Sequence, residues 1–132
     1  MLGRTVLGLS AVLLLVVPAA ARECPTQDLG WEAREDAVRK AATCKEALAV
    51  AESCVFGASG DTGLTEIVME KCAADFSGKM SKAQRQAYDA GIKRCDDKYR
   101  RKDGTIYRSM DAFCRATLAR DTATKFAKAP PR

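Results

Sequence analysis

Residues 81–104 read SKAQRQAYDAGIKRCDDKYRRKDG, and this stretch decides the fold class. Ser81 followed three residues later by Gln84 is a capping box, in which the two side chains satisfy each other's free backbone N–H at a helix start. Tyr88, Ile92, Cys95 and Tyr99 then recur at steps of four and three, which places them on one face of a helix. Asp103-Gly104 ends the run, because glycine accepts the left-handed backbone that follows a helix C-terminus. Thr105 is expected to cap the next helix, with Ile106, Met110, Phe113, Cys114, Thr117 and Leu118 as its expected core face.

Upstream, the same period continues. Ala37, Ala41, Cys44, Leu48, Ala51 and Val55 form an apolar stripe starting near Trp31, with Asp28 as candidate N-cap. Thr43 and Glu46 form another capping box, so this segment is one bent helix or two. Gly57 to Gly63 holds three glycines and reads as a loop. Asp61 or Thr62 can cap a helix carrying Leu64, Ile67, Val68, Cys72 and Phe76, which Gly78 stops. No window alternates with a period of two. The chain is expected to be all-α, a small antiparallel bundle of four or five helices.

Residues 1–21 stand apart. Arg4 is followed by an apolar stretch from Val6 to Val17, then Pro18 and Ala19-Ala20-Ala21. That is the pattern of a secretory signal peptide cut after Ala21. An apolar stretch of about 12 residues is short of the ~20 a membrane span needs, so no integral span is expected after cleavage. The domain is expected over residues 22–128, with a frayed tail at 129–132. Its location would be secreted or periplasmic.

All six cysteines (Cys24, Cys44, Cys54, Cys72, Cys95, Cys114) follow that segment, and an even number in a small exported chain reads as three disulfides. Cys95 and Cys114 lie at comparable distances from the Gly104 turn and are the favoured pair. Hairpin geometry between the first two helices permits Cys44–Cys72; sequential pairing, Cys24–Cys44 with Cys54–Cys72, competes with it. Alanine fills much of the first stripe and aromatics make up only 6% of the chain, so crosslinks matter to a thin core.

The order Cys54, Cys72, Ser81-Lys82-Ala83-Gln84-Arg85-Gln86-Ala87-Tyr88, Cys95, Gly104-Thr105, Cys114-Arg115 resembles the lysozyme inhibitor LprI-like domain, a family of small, exported, helical, disulfide-bonded proteins. Met80 and Tyr88 stand where that pattern commonly has Leu and Trp. The resemblance covers about residues 52–126. It implies Cys54–Cys72 and Cys95–Cys114, leaving Cys24 and Cys44 to pair within an N-terminal extension over 22–51. It also implies a protein-binding role, as a lysozyme inhibitor or another envelope-associated binding module.

The absence of histidine excludes imidazole-based nucleophile activation and His-ligated zinc. No C-x-x-C pair supports a metal or redox site. The adjacent carboxylates Glu35-Asp36 and Asp96-Asp97 diverge by about 100° on a helix, so they do not converge on one bond. No catalytic residue, metal or cofactor is expected, and the chain reads as a binding protein rather than an enzyme.

Two surface candidates remain. The first is the basic run Lys98, Arg100, Arg101 and Lys102, with Arg108 nearby, which suits an anionic polymer such as envelope polysaccharide, lipid headgroups or extracellular nucleic acid. Tyr99 within the run is expected to face the core. The second is the glycine loop, where Ser59 offers a donor and Asp61 an anion to a protein partner. Charge divides the chain: residues 22–78 carry six basic and eleven acidic groups, residues 79–132 fifteen basic and six acidic. A basic lysozyme would therefore be drawn only to the acidic half, with Glu32, Glu35, Asp36, Glu46, Glu52 and Asp61.

Overall fold

A computed structural model describes residues 23–128, so the expected signal segment and the tail at 129–132 lie outside the described residues. Five α-helices follow in order: α1 (Trp31–Lys40), α2 (Cys44–Ser53), α3 (Asp61–Phe76), α4 (Lys82–Tyr99) and α5 (Thr105–Lys128). A short 3-10 turn, Ser77–Lys79, links α3 to α4. The all-α class holds, and the segment that allowed one helix or two is two. Thr43 accepts from the Glu46 N–H at 3.1 Å, and the Glu46 carboxylate reaches back one residue further than expected, to the Ala42 N–H. Ser81 and Gln84 close their capping box as expected.

α3 is the central element, flanked by α1, α2 and α5, while α4 packs along α5. The core joins Val38, Ala47 and Leu48 of the first two helices to Leu64, Val68 and Cys72 of α3 and to Ala116, Ala119 and Ala123 of α5. The segment expected to be an N-terminal extension thus shares the main core. Phe76 closes one end of the bundle, with Tyr88 at 5.2 Å and Phe126 at 6.1 Å between ring centroids. Burial, and secondarily the Asp89 charge, pushes the Tyr88 phenol up from its ordinary value.

Several expectations need correction. α5 does not turn Ile106 and Met110 inward; they are 48% and 43% exposed. Its buried face is Ser109, Ala112, Ala116, Ala119 and Ala123. Small side chains let two helix backbones approach closely, so the preferred stripe is the one that fits against α3, not the most hydrophobic one. Val55 lies beyond the end of α2 and is also exposed. Gly30, not Asp28, precedes α1, and it provides no side-chain cap. The glycine loop ends at Gly60, because α3 already starts at Asp61.

The disulfides are Cys24–Cys54, Cys44–Cys72 and Cys95–Cys114, which confirms the third pair and replaces Cys24–Cys44 and Cys54–Cys72. The reason is the length of α2. Cys44 opens that helix and Cys54 follows its last residue, so about 15 Å of helix rise separates them. α2 and α3 run antiparallel, which brings Cys72 to the Cys44 end and leaves Cys54 out of its reach. Turns at Cys24–Leu29 fold the N-terminal segment back, and the Arg34 guanidinium donates to the Gln27 carbonyl at 3.1 Å. Cys24 thereby meets Cys54.

Candidate functional site

The chain reverses direction between α4 and α5 within residues 100–104. Arg100 N–H donates to the Asp96 carbonyl and Lys102 N–H to the Tyr99 carbonyl, at 2.8 and 2.9 Å. Gly104 then takes φ of +114°, a conformation that disfavours any side chain. Tyr99 is buried as expected. The reversal folds the basic run back on the start of α5 and encloses a cleft of about 420 Å³.

Three cations line this cleft: Arg100, Lys102 and Arg108. Lys102 sits between two aromatic rings, with Nζ 5.1 Å from the Tyr107 centroid and 5.9 Å from that of Tyr99, a cation–π arrangement that orients the ammonium. Arg100 is partly neutralised by Asp97 at 3.3 Å, while Lys102 and Arg108 have no carboxylate partner among the described residues. Thr105 and Gly104 complete one wall, where the first N–H groups of α5 add the positive end of a 24-residue helix. Asp97 itself is held below the ordinary carboxylate range, chiefly by the Lys93 hydrogen bond.

The carboxylates Asp103 and Asp111 also face the cleft. Arg115 pairs with Asp111 at 2.9 Å and with Asp96 of α4, so it bridges the two helices. Asp111 Oδ1 is buried with no hydrogen-bond partner among the described residues, and burial pushes this carboxyl above its ordinary value. The Cys95–Cys114 disulfide, with Cα atoms 5.8 Å apart, crosslinks the same two helices. The cleft therefore lies at a corner where an ion-pair bridge and a disulfide tie the two helices together.

Of the residues read as candidates, Arg100, Lys102 and Arg108 converge. Lys98 and Arg101 are exposed outside the cleft, with Lys98 Nζ 5.1 Å from the Tyr99 ring. Ser59 is exposed on its loop. Asp61, expected as a surface anion, is instead 0% exposed. It accepts from the N–H groups of Phe56, Gly57 and Ala58 at 3.1, 2.8 and 3.1 Å, and from the Ser109 hydroxyl at 2.6 Å. This carboxylate thus organises the loop from beneath and ties it to α5. Tyr107, Asp103 and Asp111 were not among the candidates. The Asp111–Arg115 spacing of four, a helix ion-pair register, was the available signal for one of them.

Among the described residues, no group of three or more Cys, Asp or Glu side chains forms a potential metal site, and no helix is long and apolar enough to cross a membrane. Fold and cleft together define a small all-helical, disulfide-stapled bundle with a basic corner. No family model, curated protein or solved structure matches the chain.

Proposed function

We propose that this is an exported, non-enzymatic protein that binds anionic groups on a larger ligand through the cleft between α4 and α5. The observation that carries the reading is the convergence of Arg100, Lys102 and Arg108 on one concavity, two of the three without a carboxylate partner among the described residues. Preorganisation matters because ordering flexible basic side chains costs much of what ion pairing returns. Three disulfides suit an oxidising compartment, secreted or periplasmic, in line with the expected signal segment.

Retention on immobilised heparin tests the reading. The wild-type chain should elute at a salt concentration that drops clearly in the Lys102→Glu/Arg108→Glu variant. Its log affinity should fall with log salt at a slope of about −2 to −3, as expected for two or three neutralised anionic groups. Weak, salt-insensitive retention that ignores the charge reversals would refute it.

A second reading, the LprI-like protein-binding role, is favoured by Phe56, which is 62% exposed on the loop anchored by Asp61. A rigid loop with an aromatic tip suits an enzyme cleft. The pairing of Cys24 with Cys54 departs from what that resemblance implied, and the buried Asp61 offers no charge to a basic lysozyme. Addition of excess oxidised protein to a lysozyme turnover assay decides it, with unchanged rates counting against inhibition.

A further inference from the structure

Phe56, on the loop before α3, and Ile106 and Met110, near the start of α5, are large apolar side chains left in solvent. Ile106 lies directly over Gly57: a Cβ added there would meet Ile106 Cδ1 at 2.6 Å. Met110 is one turn along α5 from Ile106, on the same face. The Ser109 hydroxyl bond to Asp61, which also holds the Phe56 N–H, ties this part of α5 to the loop that carries Phe56. Ile106 also adjoins the basic cleft, since Gly104 in the cleft wall lies 4.0 Å from Ile106 Cγ2 when given a Cβ. A further cation, the Arg34 guanidinium, stacks 4.1 Å from the Phe56 ring centroid.

We infer that the protein docks on the surface of an anionic lipid bilayer, with Phe56, Ile106 and Met110 entering the boundary between headgroups and acyl chains while Arg100, Lys102 and Arg108 engage the headgroup phosphates. This rests on the anion-binding reading of the cleft and names its ligand. The adjacency decides for lipid. A soluble polysaccharide or nucleic acid strand has no apolar phase to receive three exposed hydrophobic side chains, whereas a bilayer interface takes both halves of the surface together. The carboxylates in the cleft do not oppose this: Asp111 is engaged by Arg115, leaving Asp103 against the three lining cations.

The full oxidised chain is sedimented with vesicles of phosphatidylglycerol and phosphatidylcholine, with vesicles of phosphatidylcholine alone, and compared with heparin retention. Trp31 is the only tryptophan and its ring lies 6.5 Å from that of Phe56, so quenching by brominated acyl chains reports insertion. Expected results are binding to the anionic vesicles with quenching, and little binding to neutral ones. Phe56→Ser should weaken vesicle binding about tenfold and Met110→Gln several-fold, each with unchanged heparin elution. Met110 is exposed on α5, outside the loop that carries Phe56, so its variant remains informative if Phe56→Ser perturbs the loop. Vesicle binding that ignores both variants, or occurs without quenching, overturns the lipid docking and leaves the anion reading standing. Binding to lysozyme but not to vesicles overturns it in favour of a protein partner. Failure of Lys102→Glu/Arg108→Glu to weaken heparin retention removes the underlying reading instead.

Discussion

Replacing Asp61 tests the structural logic of the loop most directly. Its carboxylate is wholly buried and receives three backbone N–H groups and one hydroxyl, so Asp61→Ala strands four donors at once. Hydrogen bonds to a charged acceptor contribute about 1.5–3 kcal/mol each, but the half-exposed amides of the loop recover water once freed. Ser109, 2% exposed, cannot. Allowing near-full loss for the serine and partial loss for the amides gives a destabilisation of about 4 kcal/mol. Asp61→Asn is milder, at roughly 2 kcal/mol. Its amide can place the NH2 at the Oδ1 position, which faces only Phe56 N–H, and keep an oxygen toward Gly57, Ala58 and Ser109. The assay is urea unfolding with disulfides intact, with amide exchange read at Phe56, Gly57 and Ala58. With a denaturant slope near 2 kcal/mol/M, the alanine variant should lose about 2 M of midpoint. A loss below about 1 kcal/mol with those three amides still protected would refute the assignment of Asp61 as the anchor.

Removing one crosslink with Cys44→Ala/Cys72→Ala, across a sequence separation of 28, should cost about 3.6 kcal/mol by loop entropy. Peptide mapping without reduction should recover Cys24 joined to Cys54, and a Cys24–Cys44 peptide would overturn the connectivity. Ala116→Leu inserts three carbons where α5 meets α3 and should lower Tm by about 10 °C, against little change for Met110→Leu on the exposed side of the same helix. Asp111, raised above its ordinary value of 3.8 by burial, holds its proton in the native state to higher pH than in the unfolded chain. The resulting stability is complete below the unfolded value and is lost as pH rises through the folded one. Urea midpoints of wild type relative to Asp111→Asn should therefore improve on acidification through that window, and the opposite slope would contradict the burial.

Helix starts and stops were legible because their chemistry is local: Ser81 with Gln84, Thr43 with Glu46, and Gly104 each act within one turn. The cleft was half legible. A run of cations says where charge collects along the chain, and the Gly104 reversal places Arg108 opposite Arg100 and Lys102. What stayed hidden depends on contacts across the fold. Hydrophobicity alone favours Ile106 and Met110 as the inward face of α5, and only the approach of α3 selects the alanines. Asp61 reads as an exposed cap until Ser109, 48 residues away, is known to reach it. Cysteine spacing likewise could not reveal that the chain before α1 doubles back to the end of α2.

The covalent links divide unevenly. Cys24–Cys54 and Cys44–Cys72 interlock within the first three helices, Cys95–Cys114 joins the last two, and no bond crosses between the groups. During oxidation, if each group collapses locally, the fifteen conceivable pairings shrink to three for the leading four thiols and one for the trailing two. Mispairing, and the work of an isomerase, would then fall on the leading part. A cut in the connector at Ser77–Ser81 would release two separately stapled pieces in denaturant, without any reductant.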